Sequence, residues 1–83
     1  MSVIEIKING AYSQAFIDSN IRRSVVSILH LQLLKEIFGT HFEVYKFERK
    51  FYCKCEISVR NIKRKWTFQI IFIETPIIFL AED

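Results

Sequence analysis

Eighty-three residues carrying a net charge of +3, 51% hydrophobic side chains, eight Phe, two Cys, two Gly and one Pro describe one small domain with a thin core. A chain this short hides only about 60–65% of the surface its unfolded form exposes, so this much apolar character predicts side chains left over for a partner. No uninterrupted apolar run approaches the roughly 18 residues of a membrane helix, Ile70 to Ala81 being broken by Glu74, Thr75 and Pro76; with no basic-then-apolar leader in Met1-Ser2-Val3-Ile4-Glu5, an intracellular protein is expected.

Val3 to Ile8 alternates and is β-branched, which predicts a strand with Ile4, Ile6 and Ile8 inward and Glu5 and Lys7 outward. Asn9-Gly10 ends it. Ala11 to Asp18 has no clear period and reads as either a loop or a short helical turn. Ser19 or Asp18 then caps a long helix from Asn20 to Phe38, a run without Gly or Pro that Gly39 closes. At 100° per residue, Ile21, Val25, Val26, Ile28, Leu29, Leu33 and Ile37 make the expected sheet-facing arc. Leu31, Leu34 and Phe38 fall nearly opposite, as a second apolar patch covered by a partner or by another part of the chain.

His41 to Glu48 and Lys50 to Arg60 read as a hairpin, with Phe51, Cys53, Cys55, Ile57 and Val59 alternating against Tyr52, Lys54, Glu56, Ser58 and Arg60. Glu48-Arg49-Lys50 carries no Asn-Gly signal, which leaves the turn type and the register of Phe42, Val44 and Phe47 open. A further strand runs from Lys65 to Glu74 with Trp66, Phe68, Ile70 and Phe72 on one face, while Ile71 and Ile73 make the other face apolar too. After the Thr75-Pro76 turn, Ile77 to Ala81 forms a short last strand before the acidic end Glu82-Asp83. The expected fold is therefore α+β, one long helix packed on a four- to five-stranded, mainly antiparallel sheet in the order β-α-β-β-β-β, with residues 1–83 as a single domain.

Catalytic chemistry finds little support in these residues. The carboxylates are scattered singly, His30 and His41 read as structural, and two glycines build no phosphate cradle. Cys53 and Cys55 share one strand face with Cα atoms roughly 6.5–7 Å apart, a spacing that suits a disulfide poorly and reads as two reduced core thiols. No catalytic residue, cofactor, metal, membrane or small-molecule substrate is expected. The basic connection Arg60-Asn61-Ile62-Lys63-Arg64-Lys65, beside Trp66, instead places Arg60, Lys63, Arg64 and Lys65 at a hairpin tip able to reach phosphates. Lys46, Arg49, Lys50, Tyr52 and Lys54 form a second group on the outer face of the preceding hairpin, where Tyr52 or Tyr45 is available to stack on a base. The plainer reading of both is a solvated hairpin whose charges discourage edge aggregation. Leu31, Leu34, Phe38, Ile71 and Ile73 are the expected partner-binding residues.

An N-terminal strand, a helix ending Leu34-Lys35-Glu36-Ile37-Phe38-Gly39, the strand pair Phe42-Glu43-Val44-Tyr45 and Cys53-Lys54-Cys55-Glu56-Ile57-Ser58-Val59, and the late Pro76-Ile77-Ile78-Phe79-Leu80 together resemble the small α+β protein subunits of ribonuclease P and ribonuclease MRP. Where those subunits place a second helix between strands, this chain has the basic turn from Arg60 to Lys65. The resemblance implies a non-catalytic subunit that pairs with a similar protein and supports a catalytic RNA. The function expected from the sequence is accordingly a non-catalytic subunit of an intracellular ribonucleoprotein assembly, binding a protein partner or a second copy of itself, with RNA as a further partner. The alternative is a protein-interaction module without a nucleic-acid role, either a dimeric adaptor or a virus-encoded inhibitor that adds its edge strand to a host protein.

Overall fold

Asn9-Gly10 organises the first part of the chain. Both residues take left-handed backbone angles, φ 48° and 84°, as a two-residue type I′ hairpin requires. In the computed structural model, which describes residues 2–81, β1 (Ser2–Ile8) turns back here onto β2 (Ala11–Asp18), paired from Ser2↔Ile17 to Ile8↔Ala11. The segment expected to be a loop or a helical turn is thus a full strand. Its inner face holds Ala11, Ser13, Ala15 and Ile17, opposite Ile8, Ile6, Ile4 and Ser2. Small side chains there leave room for the helix, and they also erase the hydrophobic alternation that would have revealed a strand.

The long helix is corrected as well. Ser24-Val25-Val26-Ser27 contains β3 (Val25–Ser27), a strand built on two β-branched residues, and α1 spans only Ile28–Phe38, 11 residues. Ser27 is the N-cap, with extended angles of φ −75° and ψ 146° and a side-chain oxygen that accepts from the His30 N–H. Gly39, in the left-handed region at φ 67°, ends the helix and donates its N–H to the Lys35 carbonyl. Of the expected outer patch, Leu31 and Leu34 are buried and Phe38 is exposed; of the expected sheet-facing arc, Ile28, Leu29 and Leu33 are half-buried and Ile37 is exposed. Including Val25 and Val26 in the helical count rotated the apparent sheet-facing arc.

The remaining strands are β4 (Glu43–Phe47), β5 (Lys50–Val59), β6 (Ile62–Ile71) and β7 (Ile78–Ala81). β4–β5 and β5–β6 are tight hairpins, registered Phe47↔Lys50 and Val59↔Ile62. Glu48 and Arg49 both adopt positive φ, 48° and 71°, so this turn takes type I′ geometry without the Asn or Gly that normally signals it. β7 inserts between β2, to which it is parallel, and β3, to which it is antiparallel; β3 in turn runs parallel to β6.

The seven strands form one sheet in the order β1-β2-β7-β3-β6-β5-β4, and a β1–β5 pairing joins its two sides. This closes six strands into a barrel and leaves β4 outside it as an edge. The expected open sheet of four or five strands beneath one long helix is therefore replaced by a mostly-sheet protein with a closed six-stranded β-barrel and one short helix. Inward residues Ile6, Ile8, Ala15, Val26, Cys53, Phe68 and Ile78 are almost fully buried, and Leu31 and Leu34 of α1 join them. Two buried serines stitch the short strands together. Ser24 Oγ accepts from Trp66 Nε1 and the Ala81 N–H at 3.0 and 2.9 Å, and Ser27 Oγ also accepts from the Ile77 N–H at 3.0 Å.

Phe72, expected on the inner face, and Ile73 are exposed, whereas Ile71 is half-buried. The acidic end Glu82-Asp83 lies outside the described residues. Among those residues no helix is long and apolar enough to cross a membrane.

Candidate binding surfaces

β5 shares one edge between two partners. Lys50 to Lys54 pair with β4, and Ile57 and Ser58 pair with β1. Asn9 spans the junction. Its N–H donates to the Glu56 carbonyl, its Oδ1 accepts from the Glu56 N–H, and its Nδ2 donates to the His41 carbonyl, each at 2.8 Å. The sequence marked Asn9 only as a turn residue; its bridging role depends on a partner 47 positions away.

Beyond this junction β4 lies outside the barrel as an arm paired only to β5, with all five of its residues exposed. A two-residue hairpin bonds the residues flanking its loop in both directions, and every second pair repeats this pattern. Phe47, Tyr45 and Glu43 therefore bond to β5, while Val44 and Lys46 turn their peptide groups to the open edge. Val44, Tyr45 and Phe47 are exposed apolar side chains on this edge strand. The molecule as a whole exposes 6060 Å², against roughly 5,200 Å² for a folded chain of its mass.

Cross-strand register divides the expected nucleic-acid residues among different surfaces. Lys50, Tyr52, Lys63 and Lys65 share the outer face of β5 and β6 with Lys54. Arg49 and Arg60 occupy turns at opposite ends of β5, about 30 Å apart for a strand of this length. Lys46 lies on the other face of the arm, its Nζ 5.7 Å from the centre of the Phe51 ring. Arg64 lies on the inward face of the ladder, opposite Ile57, but at the open end, where it is exposed. On the outer face Tyr45 and Tyr52 stack on each other, ring centres 5.4 Å apart. Lys54 lies over Tyr45, and Arg23 lies over Tyr52 while donating to its hydroxyl at 3.0 Å. Both expected stacking rings are thus engaged within the chain, and Glu43 and Glu56 face Lys54 and Lys65 across the ladders.

The two ends of the barrel differ. α1 closes the end near Ile8, Cys53 and Phe68. At the other end, the part of β1 that precedes Lys7 is not paired with β5, and a cleft of about 1050 Å³ opens between them. Ile4, Ile6, Ile17, Ile57, Ile62 and Trp66 are among its lining residues, with Lys7, Arg60 and Arg64 on its rim. Inward pairs along β5 and β6 are Phe51↔Ile70, Cys53↔Phe68, Cys55↔Trp66, Ile57↔Arg64 and Val59↔Ile62, and Arg64 is their one charged side chain. That break in an otherwise apolar row was readable in the sequence, but Arg64 was grouped there with its basic neighbours.

His30 Nε2 lies 2.8 Å from Ser13 Oγ, the spacing of a nucleophile and its base. A working pair also needs a third group to orient the imidazole. Here the buried Nδ1 has no hydrogen-bond partner, and the serine hydroxyl donates to the Gln14 carbonyl at 3.2 Å. Burial pushes the His30 pKa down, which favours a neutral ring donating from Nε2 to Ser13. The pair is a strut between α1 and β2. Cys53 and Cys55 are both free and buried, and the hydrogen bond with Cys53, together with burial, pushes the Cys55 thiol up, so that it stays protonated and unreactive. No group of three or more potential metal ligands occurs among the described residues.

No protein-family model matches this chain, and a search of curated proteins returns no match.

Proposed function

We propose that the chain is a non-catalytic binding subunit that docks on a protein partner by extending its sheet at the β4 edge. The observation that carries this reading is β4 itself, a strand with one edge unpaired and all five residues exposed, Val44, Tyr45 and Phe47 among them. Such an edge is a template for another strand unless something covers it. Phe38 and Phe72 add further exposed apolar surface, whereas Leu31 and Leu34 are spent on the core. An intracellular assembly, ribonucleoprotein in kind as the resemblance to ribonuclease P and MRP subunits implies, is part of the proposal.

Val44→Pro tests it. This substitution removes the peptide donor facing the open edge and leaves the bonds from Glu43, Tyr45 and Phe47 to β5 in place. Wild-type chain used as bait in an extract is expected to retain a defined partner that the variant loses, and any self-association seen in sedimentation should vanish with it. An identical set of retained proteins and an unchanged sedimentation profile would sink the β4 reading.

RNA contact is the second reading, favoured by Lys50, Lys54, Lys63 and Lys65 on one outer face. Its test is binding of a single-stranded RNA over a salt series. Joint replacement of Lys54, Lys63 and Lys65 by Ala should weaken binding and flatten the salt slope by about 2 to 3 phosphate contacts. An unaltered slope removes RNA from the proposal.

A further inference from the structure

The open end of the barrel is a second, separate site. β1 pairs with β2 along its whole length, yet with β5 only at Lys7 and Ile8. Asn9 bonds to the Glu56 carbonyl, and strand alternation then directs the peptide groups of Lys7, Glu5 and Val3 toward the β5 side. Lys7 finds Ser58 there, but Glu5 and Val3 have no β5 residue opposite them. Val3 continues this unpaired edge, and Glu5 lines the cleft. Its floor is apolar, formed by Ile4, Ile6, Ile57, Val59, Ile62 and Trp66.

An occupant must satisfy both features. An acyl chain would cover the apolar floor and leave the peptide groups of Val3 and Glu5 dry and unpaired, which costs free energy for each group. A strand meets both demands, because its backbone bonds to β1 while alternate side chains enter the cleft. Charge fixes the rest of its chemistry. Side chains pointing away from the floor would meet Lys7, Arg60 and Lys63, three cations against the one carboxylate Glu56 in a depression that shares Lys7, Ser58, Arg60 and Asn61 with the cleft, and Arg64 also lines the cleft. Among the described residues Glu5 is the one carboxylate lining the cleft.

We propose that this cleft binds an extended peptide segment of alternating apolar and acidic residues, which adds to the free edge of β1 and completes the barrel wall. It is distinct from docking at β4, and Val44→Pro should not affect it.

The probes are two capped hexapeptides, one alternating Val and Glu and one alternating Val and Lys, together with decanoate as an acyl probe. Trp66 is the single tryptophan and lines the cleft, so its emission should shift when the site fills. The Val-Glu peptide is expected to shift that emission and to protect the Val3 and Glu5 amides from hydrogen exchange, with the Val-Lys peptide binding about tenfold more weakly or worse. Joint Arg60→Glu and Arg64→Glu substitution should reverse the preference. The proposal is overturned if neither peptide protects those two amides, if the two peptides bind alike, or if decanoate fills the cleft where the Val-Glu peptide does not. The sign preference in the wild-type protein decides the matter even if the charge-reversed variant fails to fold.

Discussion

Phe68 and Ile62 lie on the same strand and the same face, yet one is fully buried and the other is 63% exposed. They belong to the two ends of one barrel. Around Phe68 the inward row is roofed by α1, with Leu31 and Leu34 joining the core; around Ile62 the row stays apolar except for Arg64 and has no cover among the described residues. Pattern alone therefore does not decide burial in a barrel this small. Its single helix closes one end, while at the other β1 pairs with β5 only at Lys7 and Ile8 and leaves the cleft open between them.

Reversing polarity at the roofed end gives the largest expected effect. Leu34→Asp places a carboxylate in the apolar core cluster, where Leu34 is almost fully buried, without a compensating partner. The expected loss, about 4 kcal/mol or more, is most of the stability of a domain this size. Urea denaturation should show a chain largely unfolded before denaturant is added. A folded variant that merely changes its association state would mean that Leu34 belongs to an outer patch, and the contrast between the two ends would collapse.

That result would also explain what the sequence could and could not disclose. β1 and the β5 alternation were legible because large apolar and charged residues take turns along them, and Gly39 marked the helix end because a left-handed cap has few other candidates. β2 was hidden by Ala11, Ser13 and Ala15, whose small size serves the neighbouring helix rather than a hydrophobic period. Asn9-Gly10 was noticed, but as a strand end instead of a hairpin turn. β3 disappeared into the helix because three residues are too few to show a period of two, although Ser27 is as good a cap as Ser19. Closure was beyond reach: the β1–β5 seam rests on two residue pairs and the Asn9 side chain, contacts that leave no periodic trace. For the binding surfaces, the basic residues stood out, but only register reveals that Arg64 turns inward while Lys63 and Lys65 turn outward.

The His30 strut lets pH probe the roofed end. Burial lowers its pKa from 6.5 in the folded state, so the unfolded chain binds the proton more readily. Its contribution to stability is present above pH 6.5 and is lost as pH falls through the depressed folded value. His30→Gln, which retains an amide able to reach Ser13, should flatten that part of the stability-against-pH curve while leaving the neutral-pH value lower or unchanged. Denaturant midpoints measured from pH 7.5 downward provide the check. A curve with an undiminished slope in the variant would assign the acid sensitivity to groups away from the helix.

Ile62→Asp is the counterpart at the open end and the smallest expected change in stability. The residue begins β6 beside the Arg60-Asn61 turn, and its side chain already meets solvent, so the loss should stay within about 1 kcal/mol, chiefly strand propensity. The same carboxylate that unfolds the chain at position 34 should be tolerated here, though both positions are apolar in the sequence and both face inward. Binding reverses the ranking. A negative charge at the mouth of the cleft should repel an acidic strand and suppress the Trp66 response to the Val-Glu peptide, in a protein whose urea midpoint has barely moved. If Ile62→Asp instead costs as much as a core substitution, the open end is packed in solution by something within the chain, and the two ends differ only in which residues cover them.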